Sequence, residues 1–143
     1  MSDEIKKTGS ADIADLDTSS VEAVLELRNP FTDEILRHED GRPMTITHLS
    51  SESDEFETLT RKQQDRRNQQ FVRSRSPVQS AVADKDAVEL LVAVTRRWDI
   101  VFGGQVLEST PEAYRKLYSD PKYKWLRKQL DVNAGNLANF MKG

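Results

Sequence analysis

The chain contains no cysteine. Disulfides, iron–sulfur clusters, cysteine-rich zinc sites and thiol nucleophiles are thereby excluded. No run of about 18 apolar residues occurs, so no segment reads as a membrane-spanning helix. The opening stretch MSDEIKKTGSADIADLD lacks an apolar core of the secretory type, and no secretory signal is expected. Aromatic residues make up only 7% of the chain and glycine only 6 of its 143 positions. No phosphate loop, dinucleotide fingerprint or Gly-x-Ser-x-Gly elbow is present. An enzyme is therefore not the expected class, and no catalytic, cofactor or metal residue is assigned.

Charge is abundant and uneven. Charged residues are 31% of the chain and hydrophobic ones 36%. Residues 1–60 carry a net charge of −10, residues 61–76 a net +5 and residues 77–143 a net +2. An acidic front, a basic middle and a more apolar end point to separate roles. Residues 1–18 are small, polar and acidic, and are expected to be a disordered tail.

Ordered signals begin at SVEAVLELRNP, residues 20–30. Val21, Ala23, Leu25 and Leu27 alternate with Glu22, Val24, Glu26 and Arg28, the period of a half-buried strand. DEILRHED and RPMTITHLS read as two short strands around the Asp40-Gly41 turn. A small antiparallel sheet is expected across about residues 20–49. Ser51 with Asp54 then resembles a capping box opening a polar helix, with Glu52, Asp54, Glu55 and Glu57 favoured in its first turns. Its middle, RKQQDRRNQQ, lacks a hydrophobic face, so it should stand partly free or bind something polar. The sheet and polar helix occupy 19–75, and a linker is expected over 76–85.

The last part, residues 86–143, reads as a compact helical unit. Asp86 and Glu89 have capping-box spacing. Apolar positions 88, 91, 92, 94 and 98 form a helical stripe that Trp98 closes. Gly103-Gly104 marks a tight turn needing positive φ. The triplet Gly103-Gly104-Gln105 also matches a sequence used by release factors, but its flanks favour the turn. Ser109 and Glu112 have capping-box spacing, and Pro111 suits a first helical position. Asp120-Pro121 starts another helix, whose stripe includes Trp125, Leu126, Leu130, Leu137, Phe140 and Met141, with Gly135 as a weak point. The fold class is thus α+β: a small N-terminal antiparallel sheet with a polar helix, followed by a compact C-terminal helical unit.

Three sets of side chains could carry chemistry. His38 and His48 fall in the sheet region and could approach each other across a hairpin, but two ligands make a poor metal site. RKQQDRRNQQFVRSRS could attract phosphates, although only Phe71 offers a stacking ring. Aromatics dominate binding hot spots. Of these, Trp98 and Phe140 are expected to fill the core. Tyr123 and Trp125 lie among Lys122, Lys124, Arg127 and Lys128 and are the better candidates for exposure. The partner-binding set is Tyr114, Tyr118, Tyr123, Trp125, Arg127 and Lys128.

The order of these segments resembles the tail assembly chaperones of long-tailed bacteriophages. A short sheet precedes LSSESDEFETLTRKQQDRR. An apolar helix ending LLVAVTRRWD, a glycine turn, STPEAYRKLYSDPKYKWLRKQL and NLANFMKG follow, with Gln129 and Phe140 at family-like positions. The resemblance covers roughly residues 20–143. It implies a non-catalytic protein of the host cytoplasm that binds the tape measure protein, keeps that long helical chain soluble and is absent from the mature virion. It further implies a link to tail-tube subunits, in many phages through a longer frameshifted product. A structural tail or connector protein, or a small nucleic-acid-binding regulator, are the alternatives.

Overall fold

The computed structural model describes residues 12–17, 21–74 and 80–136. Its elements are strands β1 (Glu22–Glu26) and β2 (Thr45–Leu49), helices α1 (Asp54–Ser74) and α2 (Ser80–Val94), and strand β3 (Thr95–Asp99). A hairpin of β4 (Val101–Phe102) and β5 (Gln105–Val106) follows, then α3 (Pro111–Tyr118), a 3-10 turn (Pro121–Tyr123) and α4 (Lys124–Gly135). The fold is α+β. Within the expected tail, residues 12–17 hold a 3-10 turn, Ile13–Leu16, whose Ala14 amide is met by the Asp12 carboxylate. The remainder of that tail lies outside the described residues.

β1 forms where the period-two pattern put it, with Ala23 and Leu27 buried and Glu22, Val24 and Glu26 exposed. It pairs antiparallel with β2, Leu25 opposite Ile46 and Ala23 opposite His48. The rest of the expected sheet differs. DEILRHED makes only isolated bridges, Arg28 to Ile35 and Arg37 to Pro43. Pro43 has no N–H for a ladder, and Asp33 bends the chain with φ 62°. The third strand comes instead from the C-terminal half: β3 pairs antiparallel with β2, Ile46 opposite Trp98. The sheet order is β1-β2-β3.

Trp98 therefore does not close a helix. α2 ends at Val94, and the Thr95 hydroxyl donates back to the Leu91 carbonyl at 2.7 Å. That bond spends the hydroxyl on the last turn, and the chain continues extended. Residues 86–143 are accordingly not purely helical, and β3 hydrogen-bonds them into the N-terminal sheet. The helix also starts earlier than expected. Ser80 to Lys85, read as linker, are helical, while residues 76–79 lie outside the described residues. Asp86 is then an interior helical position rather than a cap.

The core sits between the inner sheet face and helices α2, α3 and α4. It gathers Leu27, Ile46, Leu91, Trp98, Tyr118 and Leu130 among others. Twelve or so buried apolar side chains of this kind contribute about 1.5–3 kcal/mol each relative to exposure.

α1 lies against α2 through polar groups, in keeping with its missing apolar stripe. The Gln63 amide donates to the Asp86 carbonyl at 2.9 Å. Arg67 reaches the buried Asp86 carboxylate at 2.9 Å, with Arg66 at 3.8 Å. An arginine pair on one buried carboxylate specifies how the two helices meet. α1 starts at Asp54, and its cap is Ser53, whose hydroxyl accepts the Phe56 amide at 3.3 Å. Ser51 lies in the turn two residues ahead of that cap, and its amide is bonded to the Ala134 carbonyl at 3.0 Å.

Candidate partner-binding surface

The surface is built on two consecutive capped starts. Thr110 accepts the Ala113 amide at 3.2 Å and Pro111 follows at the first helical position, so α3 begins one residue later than Ser109 would have set it. Ser109 has another role: its hydroxyl accepts the Trp98 amide at 3.1 Å and bonds the Tyr114 hydroxyl at 2.6 Å. Asp120 accepts the Lys122 amide at 3.0 Å and, with Pro121, opens the 3-10 turn that runs into α4. Gly135 ends α4. Positions 137–143, including Leu137, Phe140 and Met141, lie outside the described residues.

These elements separate the predicted binding residues into two groups. Tyr114 and Tyr118 are buried, at 3% and 1% exposure. They are one helical turn apart on the inner face of α3 and flank Trp98, with ring centroids 4.6 and 6.0 Å from it, edge to face. Both hydroxyls find internal partners, Tyr118 with Thr95 at 2.8 Å and Tyr114 with Ser109. Burial pushes the Tyr118 phenol well above its ordinary value. Satisfied tips allow these rings to sit in the core without loss, so neither is presented to a partner. Arg127 is also used internally, paired with Asp84 at 2.7 Å across to the start of α2. That pairing lowers the Asp84 carboxyl below its usual range.

Tyr123, Trp125 and Lys128 remain outward. Tyr123 and Trp125 are half-buried, packed at the margin of the core, and Lys128 is exposed. Tyr123 meets Phe102 of the β4–β5 hairpin edge to face, with centroids 5.4 Å apart. The hairpin turns on Gly103 and Gly104, with φ 63° and 83°, as the turn reading of that triplet requires. Phe102 and Val106 are exposed beside it. Phe102 and Val106 carry no binding role in the sequence reading; the signal for them is an apolar residue close on each side of a two-glycine turn.

Phe31, at 94% exposure, was also missed. It tops a loop held by the Asn29 carboxamide, which accepts the Phe31 amide at 2.8 Å and the Thr32 amide at 3.3 Å. An apolar ring directly after Asn-Pro marks such a loop tip.

The two histidines occupy opposite ends of the sheet and do not meet. His38 lies near the Thr45–Asp99 end, its Nε2 3.2 Å from Asp99 Oδ1. Arg42 bridges Asp99 at 2.8 Å and Asp40 at 2.7 Å. The Arg42 amide and guanidinium hold the exposed Asp40 carboxyl below its ordinary range. An open groove of about 450 Å³ runs from this cluster to Val101, Gly104 and Val106. His48 is fully buried at the other end. Its Nδ1 faces the Leu49 carbonyl at 2.9 Å, so that nitrogen carries the proton and Nε2 accepts from the Asn133 amide at 2.8 Å. Burial lowers its pKa, opposed by the Leu49 carbonyl. Among the described residues, no three His, Asp or Glu side chains converge on a metal-sized site.

Of the basic segment, Arg66 and Arg67 are turned to Asp86, while Arg61 and Lys62 are exposed. No helix among the described residues is long and apolar enough to cross a membrane. Comparison with protein-family models, curated proteins and solved structures found no match to this chain.

Proposed function

We propose that the chain is a phage tail assembly chaperone, a non-catalytic holdase that binds the tape measure protein and keeps it soluble while tail-tube subunits are recruited. The observation that carries this reading is the edge-to-face contact of half-buried Tyr123 with exposed Phe102, with half-buried Trp125 two positions further on and Lys122, Lys124 and Lys128 in the same stretch. A holdase needs apolar surface for a client's apolar stripe and charge to keep the complex in solution. The order of segments resembling tail assembly chaperones supports the same reading. The protein would then act in the host cytoplasm, with the tape measure protein, the tail-tube protein and a longer frameshifted product as partners.

The nucleic-acid alternative is weakened, because Arg66 and Arg67 are committed to the buried Asp86 carboxylate. A structural tail component is separated by mass spectrometry of purified particles, from which a chaperone is absent. The direct test is co-expression with the tape measure protein of the same phage. The expected result is a soluble complex with the native chain and client precipitation with Tyr123→Ala/Trp125→Ala. A client equally soluble with no chaperone present removes the proposal.

A further inference from the structure

The two edges of the small sheet are treated differently. On the β3 edge, the outward Trp98 amide is taken by the Ser109 hydroxyl at 3.1 Å. On the β1 edge, the pairing fixes which groups point out. The Leu27 amide donates toward Met44 at 2.9 Å, on the β2 side. Strand alternation then turns the N–H and C=O groups of Glu22, Val24 and Glu26 to the outer edge. The next residue in that series is Arg28. There the Gln129 carboxamide accepts the Arg28 amide at 3.0 Å and donates to the Arg28 carbonyl at 2.8 Å. A side-chain amide thus makes the two bonds a neighbouring strand would make, one step beyond β1. Among the described residues, no strand pairs with the edge that precedes it.

That edge also has a side-chain pattern. Val24 is 60% exposed between Glu22 and Glu26, which share its face. On the inner side, Leu25, Lys128, Gln129 and Val132 line an open groove of about 310 Å³. We propose that the outer edge of β1 is a docking site for an extended segment of a partner protein, with basic, apolar and basic residues at alternate positions, which joins the sheet as a further strand. Backbone bonds supply the affinity and the alternate side chains the selectivity.

A second copy of this chain is not the occupant. Antiparallel self-pairing about Val24 sets Glu22 directly against Glu26 of the other copy, and like charges so placed destabilise the pair. A basic partner turns this pattern into an attractive one, chiefly at Glu26, since Glu22 already faces Arg97 and Arg96. The inference stands on backbone geometry and does not rest on the tape-measure reading, whose client is helical.

The test uses the full chain and a fluorescein-labelled peptide, Thr-Lys-Val-Val-Val-Lys-Thr, with Thr-Glu-Val-Val-Val-Glu-Thr as the charge-reversed control. Anisotropy is expected to show binding of the lysine peptide and roughly tenfold or weaker binding of the glutamate one. Val24→Pro removes only an outward amide and leaves the β1–β2 ladder bonds in place; it should cut binding by roughly tenfold or more while circular dichroism stays native. Glu22 already faces Arg97 at 3.3 Å and Arg96 at 3.9 Å, so Glu26→Lys is the charge variant, and it should reverse the peptide preference. Hydrogen exchange should show the Val24 and Glu26 amides slowed by the lysine peptide. Should Val24→Pro unfold the chain, Glu26→Lys and the exchange pattern decide. No binding by the native chain, equal binding of both peptides, or slowed Val24 exchange that depends on the concentration of this protein alone would each overturn the proposal.

Discussion

Tyr114 and Tyr118 stand only a few positions before Tyr123 and Trp125, and the two pairs have opposite fates. The first pair closes over Trp98 with both hydroxyls satisfied inside the protein. The second pair sits at the core's margin, where Tyr123 finds its aromatic neighbour in an exposed hairpin ring. The difference lies in the partners rather than in the rings. Thr95 and Ser109 supply buried hydroxyl partners for the tyrosines of α3. Tyr123, on the 3-10 turn, and Trp125, at the start of α4, are only half-buried and stay at the margin of the core.

The largest effect should come from breaking the sealed side. Tyr118→Ala removes a ring with 1% exposure and leaves the Thr95 hydroxyl without that contact, for a loss of about 3–5 kcal/mol in urea denaturation. Tyr118→Phe keeps the ring and should lose only about 1 kcal/mol. On the open side, Tyr123→Ala/Trp125→Ala should cost about 1–2 kcal/mol, because both rings are already half in water. On the proposed chaperone reading, the same double variant is the one expected to fail with the client. If it proves as destabilising as Tyr118→Ala, the two sides are one core and the rim assignment fails.

How much of this was legible in the sequence depended on sequence distance. β1 was readable because one face of a short strand is buried and the period is two. The glycine turn and the Pro111 start were readable because each rests on a local backbone preference. β3 was not. Positions 88, 91, 92, 94 and 98 fit a helix as well as they fit a helix followed by a strand, and only the Ile46–Trp98 pairing separates the two. Ser109 and Thr110 are both good caps, so the choice was made by Trp98, whose amide claimed Ser109. Arg127 looked like a free cation because Asp84, its partner, is 43 positions away. Gln129 had a family-like position but no visible task, since its bond is to the backbone of Arg28, 101 positions distant.

His48 offers a gentler probe of the sealed side. Its folded pKa is depressed by burial below the ordinary 6.5. Between the folded value and 6.5 the unfolded chain binds more protons than the folded one, so stability falls as pH drops through that window. Above 6.5 both states are neutral and this contribution is complete. Urea midpoints measured from about pH 7.5 to about pH 5.5 should fall for the native chain, and the fall should be shallower in His48→Gln. A parallel fall in both proteins would place the titrating group elsewhere.

The smallest effect belongs to the hairpin that carries Phe102 to the rim. A Cβ at Gly104 meets nothing within 4 Å, so the cost of Gly104→Ala is conformational alone, set by φ 83°. Left-handed backbone costs an alanine about 1 kcal/mol. Gly103→Asn should be nearly neutral, because asparagine tolerates positive φ and Asn-Gly is a favoured two-residue hairpin turn. The pair of variants sharpens the contrast between the sides. If the hairpin only decorates the surface, both leave client binding unchanged. If it holds the aromatic rim in place, Gly104→Ala weakens client binding while leaving the Trp98–Tyr114–Tyr118 layer intact, which near-ultraviolet circular dichroism reads directly. Loss of that near-ultraviolet signal in Gly104→Ala would mean that the rim and the sealed layer are mechanically one body.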